Sequence, residues 1–139
     1  YQLAWMGRPA AQAEALRLTE RPVVLGGDYN VIPQPEDCHD PKIWEGDALF
    51  RPESRGALRK ILNLGYTDAL RALHPEQTRA FTFWDYQGGA WDQDHGIRID
   101  HLLLSPQAAD RLQACEIDNG PRGKEKASDH TPIWCELAD

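Results

Sequence analysis

One stretch constrains this chain more than any other: Ile97-Arg98-Ile99-Asp100-His101-Leu102-Leu103-Leu104, closed by Ser105-Pro106. It is the strongest strand pattern in the 139 residues, and it carries an acid in its middle. A carboxylate among Ile99, Leu102, Leu103 and Leu104 is costly to bury alone, so Asp100 needs a cation or a histidine beside it. Of the five histidines, His130 is the preferred partner, because a carboxylate–imidazole pair fixes the ring and raises its affinity for a proton. His101 falls on the opposite face by two-residue alternation and reads as structural, as do His39, His74 and His95.

The rest of the chain supplies a framework for that strand. Residues 1–19 read as a helix through Leu3, Met6, Ala10, Ala13, Leu16 and Leu18, ended by Arg21-Pro22. Val23-Val24-Leu25 is a continuous apolar run of the kind buried on both faces, and it stops at Gly26-Gly27-Asp28-Tyr29-Asn30. Pro33 to Pro52 is a long proline-bearing loop, and loops of that length in a compact domain are usually functional or draped over a partner surface. A helix follows from Glu53 or Ser54 to a stop at Gly65, its stripe formed by Leu58, Ile61, Leu62 and Leu64. Thr67-Asp68 leads a short helix ending near His74-Pro75. Phe81 to Trp84 reads as a strand, 107–112 as a short helix, Gln113 to Asp118 as a strand, Gly120 to Ala127 as a loop and Thr131 to Leu137 as the last strand. This is an α/β chain with a mixed, mainly antiparallel sheet and helices on one face.

Three polar clusters sit at strand ends: Asp28 with Asn30, Asp100, and Asp129 with His130. Residues two apart on a strand share a face, which lets Asp28 and Asn30 address one ligand. Their oxygens suit a hard cation such as magnesium or manganese; Asp129 would add another oxygen and His130 a nitrogen able to donate to a phosphoryl oxygen. Taken singly, Gly-Asp-Tyr-Asn and Ser-Asp-His are each better explained as turns, the first bonding its own backbone and the second leading into the last strand. Arg122, Lys124 and Lys126 crowd the loop before Asp129 and fit phosphate contact or a solvated surface. The 15 basic and 22 acidic residues give a net charge of −7, which argues against a nucleic-acid coat held by bulk charge but suits a site that gathers carboxylates around a cation. No apolar run approaches the roughly 18 to 20 residues of a membrane helix. Three cysteines without CxxC spacing read as reduced thiols of a cytoplasmic protein.

Four segments in order, Gly27-Asp28-Tyr29-Asn30, Thr82-Phe83-Trp84-Asp85-Tyr86, Gly96 to Ser105, and Ser128-Asp129-His130 with Pro132, resemble the endonuclease/exonuclease/phosphatase superfamily, and within it the exonuclease III type of apurinic/apyrimidinic endonuclease. The resemblance implies a magnesium-dependent hydrolase, manganese being a possible substitute, that cuts double-stranded DNA 5′ to abasic sites and at 3′ ends. It implies that Asp28 orients or deprotonates the attacking water and that Asn30 holds the phosphate. Asp100 would pair with His130, Asp129 would sit at the metal together with Asp28, Asn30 and His130, and His130 would donate to a non-bridging phosphate oxygen. Phe83, Trp84 and Ile97 match the apolar wall that holds a base-free sugar; core packing explains Trp84 equally well. The alternatives are a lipid or inositol phosphodiesterase of the same superfamily, and a non-catalytic DNA-binding or interaction module that keeps the fold.

The resemblance covers only the C-terminal half of the family's four-layer α/β sandwich. The first-strand asparagine, the Gln-Glu pair and the mid-chain tyrosine of the family have no counterpart here. Residues 1–139 are therefore expected to be a fragment, nearly inactive alone, whose uncovered sheet face invites a homodimer or domain exchange.

Overall fold

The computed structural model describes residues 11–86, 89–118, 120–123 and 128–139. Helix α1 (residues 11–17) precedes β1 (Val24–Asp28). The long loop after β1 is not featureless: it holds helix α2 (Pro41–Trp44) between two short 3-10 turns at Pro35–Asp37 and Ala48–Phe50. Helix α3 (Pro52–Asn63), strand β2 (Thr67–Asp68) and helix α4 (Ala69–Leu73) follow. Strand β3 (Asp100–Leu104), helix α5 (Pro106–Ala109), β4 (Leu112–Ile117) and β5 (Ile133–Leu137) complete the described chain.

Local chemistry sets these boundaries. Pro52 occupies the first turn of α3, where a missing N–H costs nothing, and Glu53 and Lys60 sit at the ends that favour their charges. Gly65, at φ +115°, turns the chain out of the helix. The Asp68 carboxylate caps α4 by accepting from the Arg71 N–H, and the Ser105 hydroxyl caps α5 by accepting from the Ala108 N–H at 3.3 Å.

The sheet has the order β1-β3-β2, both pairings antiparallel, while β4 and β5 form a separate antiparallel pair. Ala13 of α1 and Leu58 and Ile61 of α3 pack with Tyr29, Val31, Tyr66 and Leu103 on one side of the sheet. Leu104 joins Leu70 of α4, Ala108 of α5 and Cys115 of β4 in a second cluster. The same sheet thus serves two apolar layers, which explains the run of three leucines in β3.

Three expectations are corrected. Phe81 to Trp84 forms no strand: Thr82 and Phe83 both donate to the Ile97 carbonyl, at 2.9 and 3.1 Å, and Thr131 donates to the Thr82 carbonyl, so the segment is shared between neighbours. Ile97 to Ile99 likewise lie outside β3, because their backbone groups bond to three different segments, through Phe83, Asp37 and Tyr29. Finally, β1 is not buried on both faces. Its only strand neighbour among the described residues is β3, and Val24 is 43% exposed.

Glycines at two positions make opposite predictions. A Cβ on Gly96 would lie 2.6 Å from the Phe81 side chain, which is itself buried, so Gly96→Ala is expected to lower unfolding free energy by about 1–3 kcal/mol in urea titrations. Gly56 faces open space within α3, so Gly56→Ala is expected to raise stability by about 0.5–1 kcal/mol in the same measurement.

Candidate active site

The antiparallel register sets Asp28, the last residue of β1, directly opposite Asp100, the first of β3. The strands approach closely because Gly26 has no side chain: a Cβ there would meet Leu102 Cδ2 at 2.8 Å. Two carboxylates facing each other across a ladder repel, so the arrangement requires a cationic or hydrogen-bonding group between them.

His130 is that group. Its Nδ1 lies 2.8 Å from Asp100 Oδ2 and its Nε2 lies 3.6 Å from Asp28 Oδ2. An ionised carboxylate only accepts, so Nδ1 carries a proton toward Asp100 and Nε2 is left facing Asp28. The ring is placed by backbone on both sides: the Trp84 N–H donates to the Asp129 carbonyl at 2.9 Å and the Thr131 N–H to the Thr82 carbonyl at 2.8 Å. The Phe83 ring stands edge-on to the imidazole, with centroids 5.1 Å apart.

Asn30 reaches the site by a different route from strand alternation, since β1 ends at Asp28. Its φ of +51° turns the chain back, and its N–H donates to Asp28 Oδ1 at 2.8 Å. With its amide nitrogen facing Asp28, the side chain donates to both carboxylate oxygens, at 3.1 and 3.3 Å. The turn reading and the site reading of Gly-Asp-Tyr-Asn are therefore both true of one structure.

The electrostatics follow from these contacts. Burial works against a charge on His130, but its hydrogen bond to Asp100 and the charges of Asp100, Asp28 and Asp129 raise its pKa above the ordinary imidazole value. Burial raises the Asp100 carboxyl, opposed by hydrogen bonds from His130 and Thr82. Thr82 opens the 82–86 segment of the sequence reading, which gives it no role of its own. Its buried hydroxyl oxygen accepts from the N–H groups of Ile99 and Asp100, at 3.1 and 3.2 Å, while bonding the Asp100 carboxylate. Nothing in an aromatic run marks a threonine for this role; only the fold brings it under Asp100.

Asp28, Asp100 and His130 each offer a ligand atom within 4.8 Å of the others, and they are the one such group able to hold a metal ion among the described residues. Asp129 is half-buried and outside this group, contributing its carbonyl to Trp84. Of the three apolar residues expected to line a sugar slot, Phe83 stands beside His130 and is half-buried. Trp84 and Ile97 are instead 1% exposed, each in an apolar cluster. Trp84 donates from Nε1 to Asp94 Oδ1 at 3.0 Å. Arg122 lies in a 3-10 turn (Gly120–Gly123), and Lys124 and Lys126 lie outside the described residues.

A carboxylate-held imidazole facing a second carboxylate, at the end of an antiparallel α/β sheet, combines a proton donor with oxygen atoms suited to a cation. The chain belongs to the endonuclease/exonuclease/phosphatase family, whose sequence profile matches residues 5–130. It is 35% identical over 122 residues to exodeoxyribonuclease III of Haemophilus influenzae, covering 84% of this chain and 46% of that protein. Its fold is similar to that of an AP endonuclease from Archaeoglobus fulgidus, with TM-score 0.90 and 37% identity. A 3′-5′ exonuclease from Neisseria meningitidis gives TM-score 0.93 and 33% identity. Each structural match covers 97% of this chain and 52% of the other. The chain thus spans about half the length of the relatives it matches.

The raised pKa has a sign. The His130–Asp100 pairing stabilises the fold fully below the unfolded imidazole value of about 6.5, and that contribution fades as pH rises through the raised folded value. Asp100→Asn removes the charge and is expected to lower the His130 midpoint, read from its ring Cε1–H signal in an NMR pH titration. A midpoint unmoved by the substitution would contradict the pairing.

Proposed function

We propose that the chain is the C-terminal half of a DNA repair nuclease that hydrolyses phosphodiesters 5′ to abasic sites and at 3′ ends. The observation that carries this reading is the cluster of Asp28, Asp100 and His130, with Asn30 against it, in a chain whose relatives are named as exonucleases and AP endonucleases. Double-stranded DNA is the proposed partner. Arg122, Lys124 and Lys126 are the proposed phosphate contacts, and Phe83, with Trp84 and Ile97 behind it, the proposed apolar flank of the sugar.

In this mechanism Asp28 accepts the proton of the attacking water or fixes its direction, and Asn30 orients Asp28 and the phosphate. Asp100 holds His130 with Nε2 free to donate to a non-bridging phosphate oxygen as negative charge develops there. The raised affinity of His130 for a proton favours the charged, donating form of that ring. The oxygen-rich donor set fits a hard divalent cation, magnesium or manganese, with Asp28, Asn30 and Asp129 as its proposed ligands and His130 at its margin. Such a cation, when bound, would neutralise phosphate charge.

The missing half, rather than a second copy of this chain, is then what covers the open side of β1, so no homodimer or domain exchange is required. Cytoplasmic residence is part of the same proposal: Cys38, Cys115 and Cys135 are free thiols, although Cys115 stands directly opposite Cys135 in the β4–β5 register.

The test is incision of a duplex carrying a synthetic abasic site, with magnesium. The 139-residue chain alone is expected to cut poorly, and robust incision would show that the absent half is dispensable. In the chain completed by that half, Asp28→Asn and His130→Asn are each expected to lower the incision rate by about 10²-fold or more with little change in DNA affinity. Incision near the wild-type rate in either variant would remove the role assigned to that residue. Turnover of inositol phosphates in place of DNA would overturn the substrate class.

A further inference from the structure

Beneath the reacting cluster lies a second set of charged groups, fully buried at Asp37 and Arg98 and partly exposed at Arg71 and Asp68, that the mechanism above does not use. The Asp37 carboxylate, 1% exposed, accepts from Arg98 Nε at 2.7 Å and from Arg71 Nη2 at 2.6 Å. It also accepts from the Gln34 N–H at 3.1 Å. Arg98, likewise 1% exposed, spends Nη1 on Asp68 Oδ2 at 2.9 Å, and its own N–H donates to the Asp37 carbonyl at 2.8 Å. Two carboxylates and two guanidinium groups balance in charge, which is the condition under which ions survive burial.

Arg98 has one further contact. Its Nη1 lies 3.3 Å from His101 Nδ1, while His101 Nε2 lies 2.9 Å from the Val31 carbonyl. A carbonyl only accepts, so Nε2 carries the proton, Nδ1 accepts from Arg98, and one tautomer is fixed. Burial and the adjacent Arg98 charge push the His101 pKa down to about 4, which keeps the ring neutral and able to accept at Nδ1.

The place where this chain of bonds ends is informative. Val31 directly follows Asn30, and the His101 ring also lies against the Tyr29 ring, with centroids 5.9 Å apart. His101 therefore touches the residues on both sides of Asn30, whose left-handed φ of +51° must be held against its own steric cost. Arg98 and His101 also flank Asp100 along the chain. The same bonds thus grip the turn that carries Asp28 and Asn30 and the strand start that carries Asp100.

We propose that Arg98 and His101 are positioning residues: the relay Asp37/Asp68–Arg98–His101–Val31 sets the Asp28–Asn30 turn against the Asp100–His130 pair. This deepens the nuclease reading and rests on it for the meaning of the cluster. The relay ties in the loop after β1 through Asp37 and helix α4 through Asp68, so the site is referenced to the body of the fold.

The test uses the 139-residue chain without DNA, so its outcome is independent of whether that chain or its completed form cuts. In the wild type, two-bond 1H–15N correlation at neutral pH is expected to show His101 protonated at Nε2 only; the Nδ1–H form would overturn the proposal, and this needs no variant. His101→Phe keeps a ring but removes both hydrogen bonds. It is expected to abolish the protection of the Asn30 N–H, which donates to Asp28, and to broaden away the downfield His130 Nδ1–H signal. His101→Gln, whose amide can donate and accept, is expected to restore both. Leu104→Ala, a core change in the separate cluster with Leu70 and Cys115, is expected to lower stability and leave both signals in place. Retention of both signals in His101→Phe, or a folded His101→Gln that restores neither, would reduce the relay to ordinary core packing. If the relay signatures hold while the completed protein fails to cut DNA, the nuclease reading falls and the positioning of the cluster stands.

Discussion

The arrangement on which the rest depends is a repulsion: Asp28 and Asp100 stand directly opposite each other at the open end of the β1–β3 ladder. Like charges in that relation destabilise a sheet, and neither strand can slip to relieve them without turning its leucines out of the core. The conflict is resolved from outside the sheet, by His130, which arrives on a segment stitched to Thr82 and Trp84 by backbone bonds. The irregularity of residues 81–84 then acquires a reason. A regular strand there would bond along one neighbour; the observed segment divides its bonds between Ile97 and the Asp129–Thr131 turn, and so carries the imidazole to the carboxylates.

A comparable division explains the residues just before β3. Ile97, Arg98 and Ile99 do not pair with β1; their backbone groups bond Phe83, Asp37 and Tyr29. The long loop after β1 is therefore anchored from within. Ile32, Cys38 and Phe50 of that loop pack on Ile97 and Ile99, and the buried Asp37–Arg98 pair fixes its middle. A loop anchored this way is held as part of the body of the fold.

What could be read from the sequence was what polar cost exposes. An acid inside an apolar strand demands a cation or a histidine wherever the chain goes, and His130 is the histidine preferred for Asp100. Asp28 and Asn30 were legible as a pair, although the geometry that unites them is a turn at Asn30 rather than strand alternation. Arg98 was not legible. In Ile-Arg-Ile the two-residue period assigns the arginine to solvent, yet all three residues are buried, because Asp37 and Asp68 arrive from segments about 60 and 30 residues away in sequence to neutralise it. Thr82 and β1 failed for the same reason. A hydroxyl's partners and a strand's second neighbour are properties of assembly, and the apolar run Val23-Val24-Leu25 reports the burial a strand is built for, while Val24 in this chain lies open.

The two histidines of the site region show one set of forces sorting like groups to opposite ends. His101 is enclosed and next to the Arg98 guanidinium, and burial and that charge both disfavour a second cation, so the ring remains a neutral relay. His130 is only partly enclosed and is surrounded by Asp100, Asp28 and Asp129, whose charges outweigh burial and favour the imidazolium. Exchanging the two environments would disable both: a neutral ring between Asp28 and Asp100 would leave their repulsion standing, and a charged one beside Arg98 would carry a proton on Nδ1 and could no longer accept from Arg98. The separation is produced by four residue placements. Placing an arginine at 98 and acids at 28, 100 and 129 sets a guanidinium, paired with Asp37 and Asp68, beneath the strand and unbalanced negative charge at its open end. The β3 alternation then sends His101 toward the first, while the Asp129–Thr131 turn delivers His130 to the second.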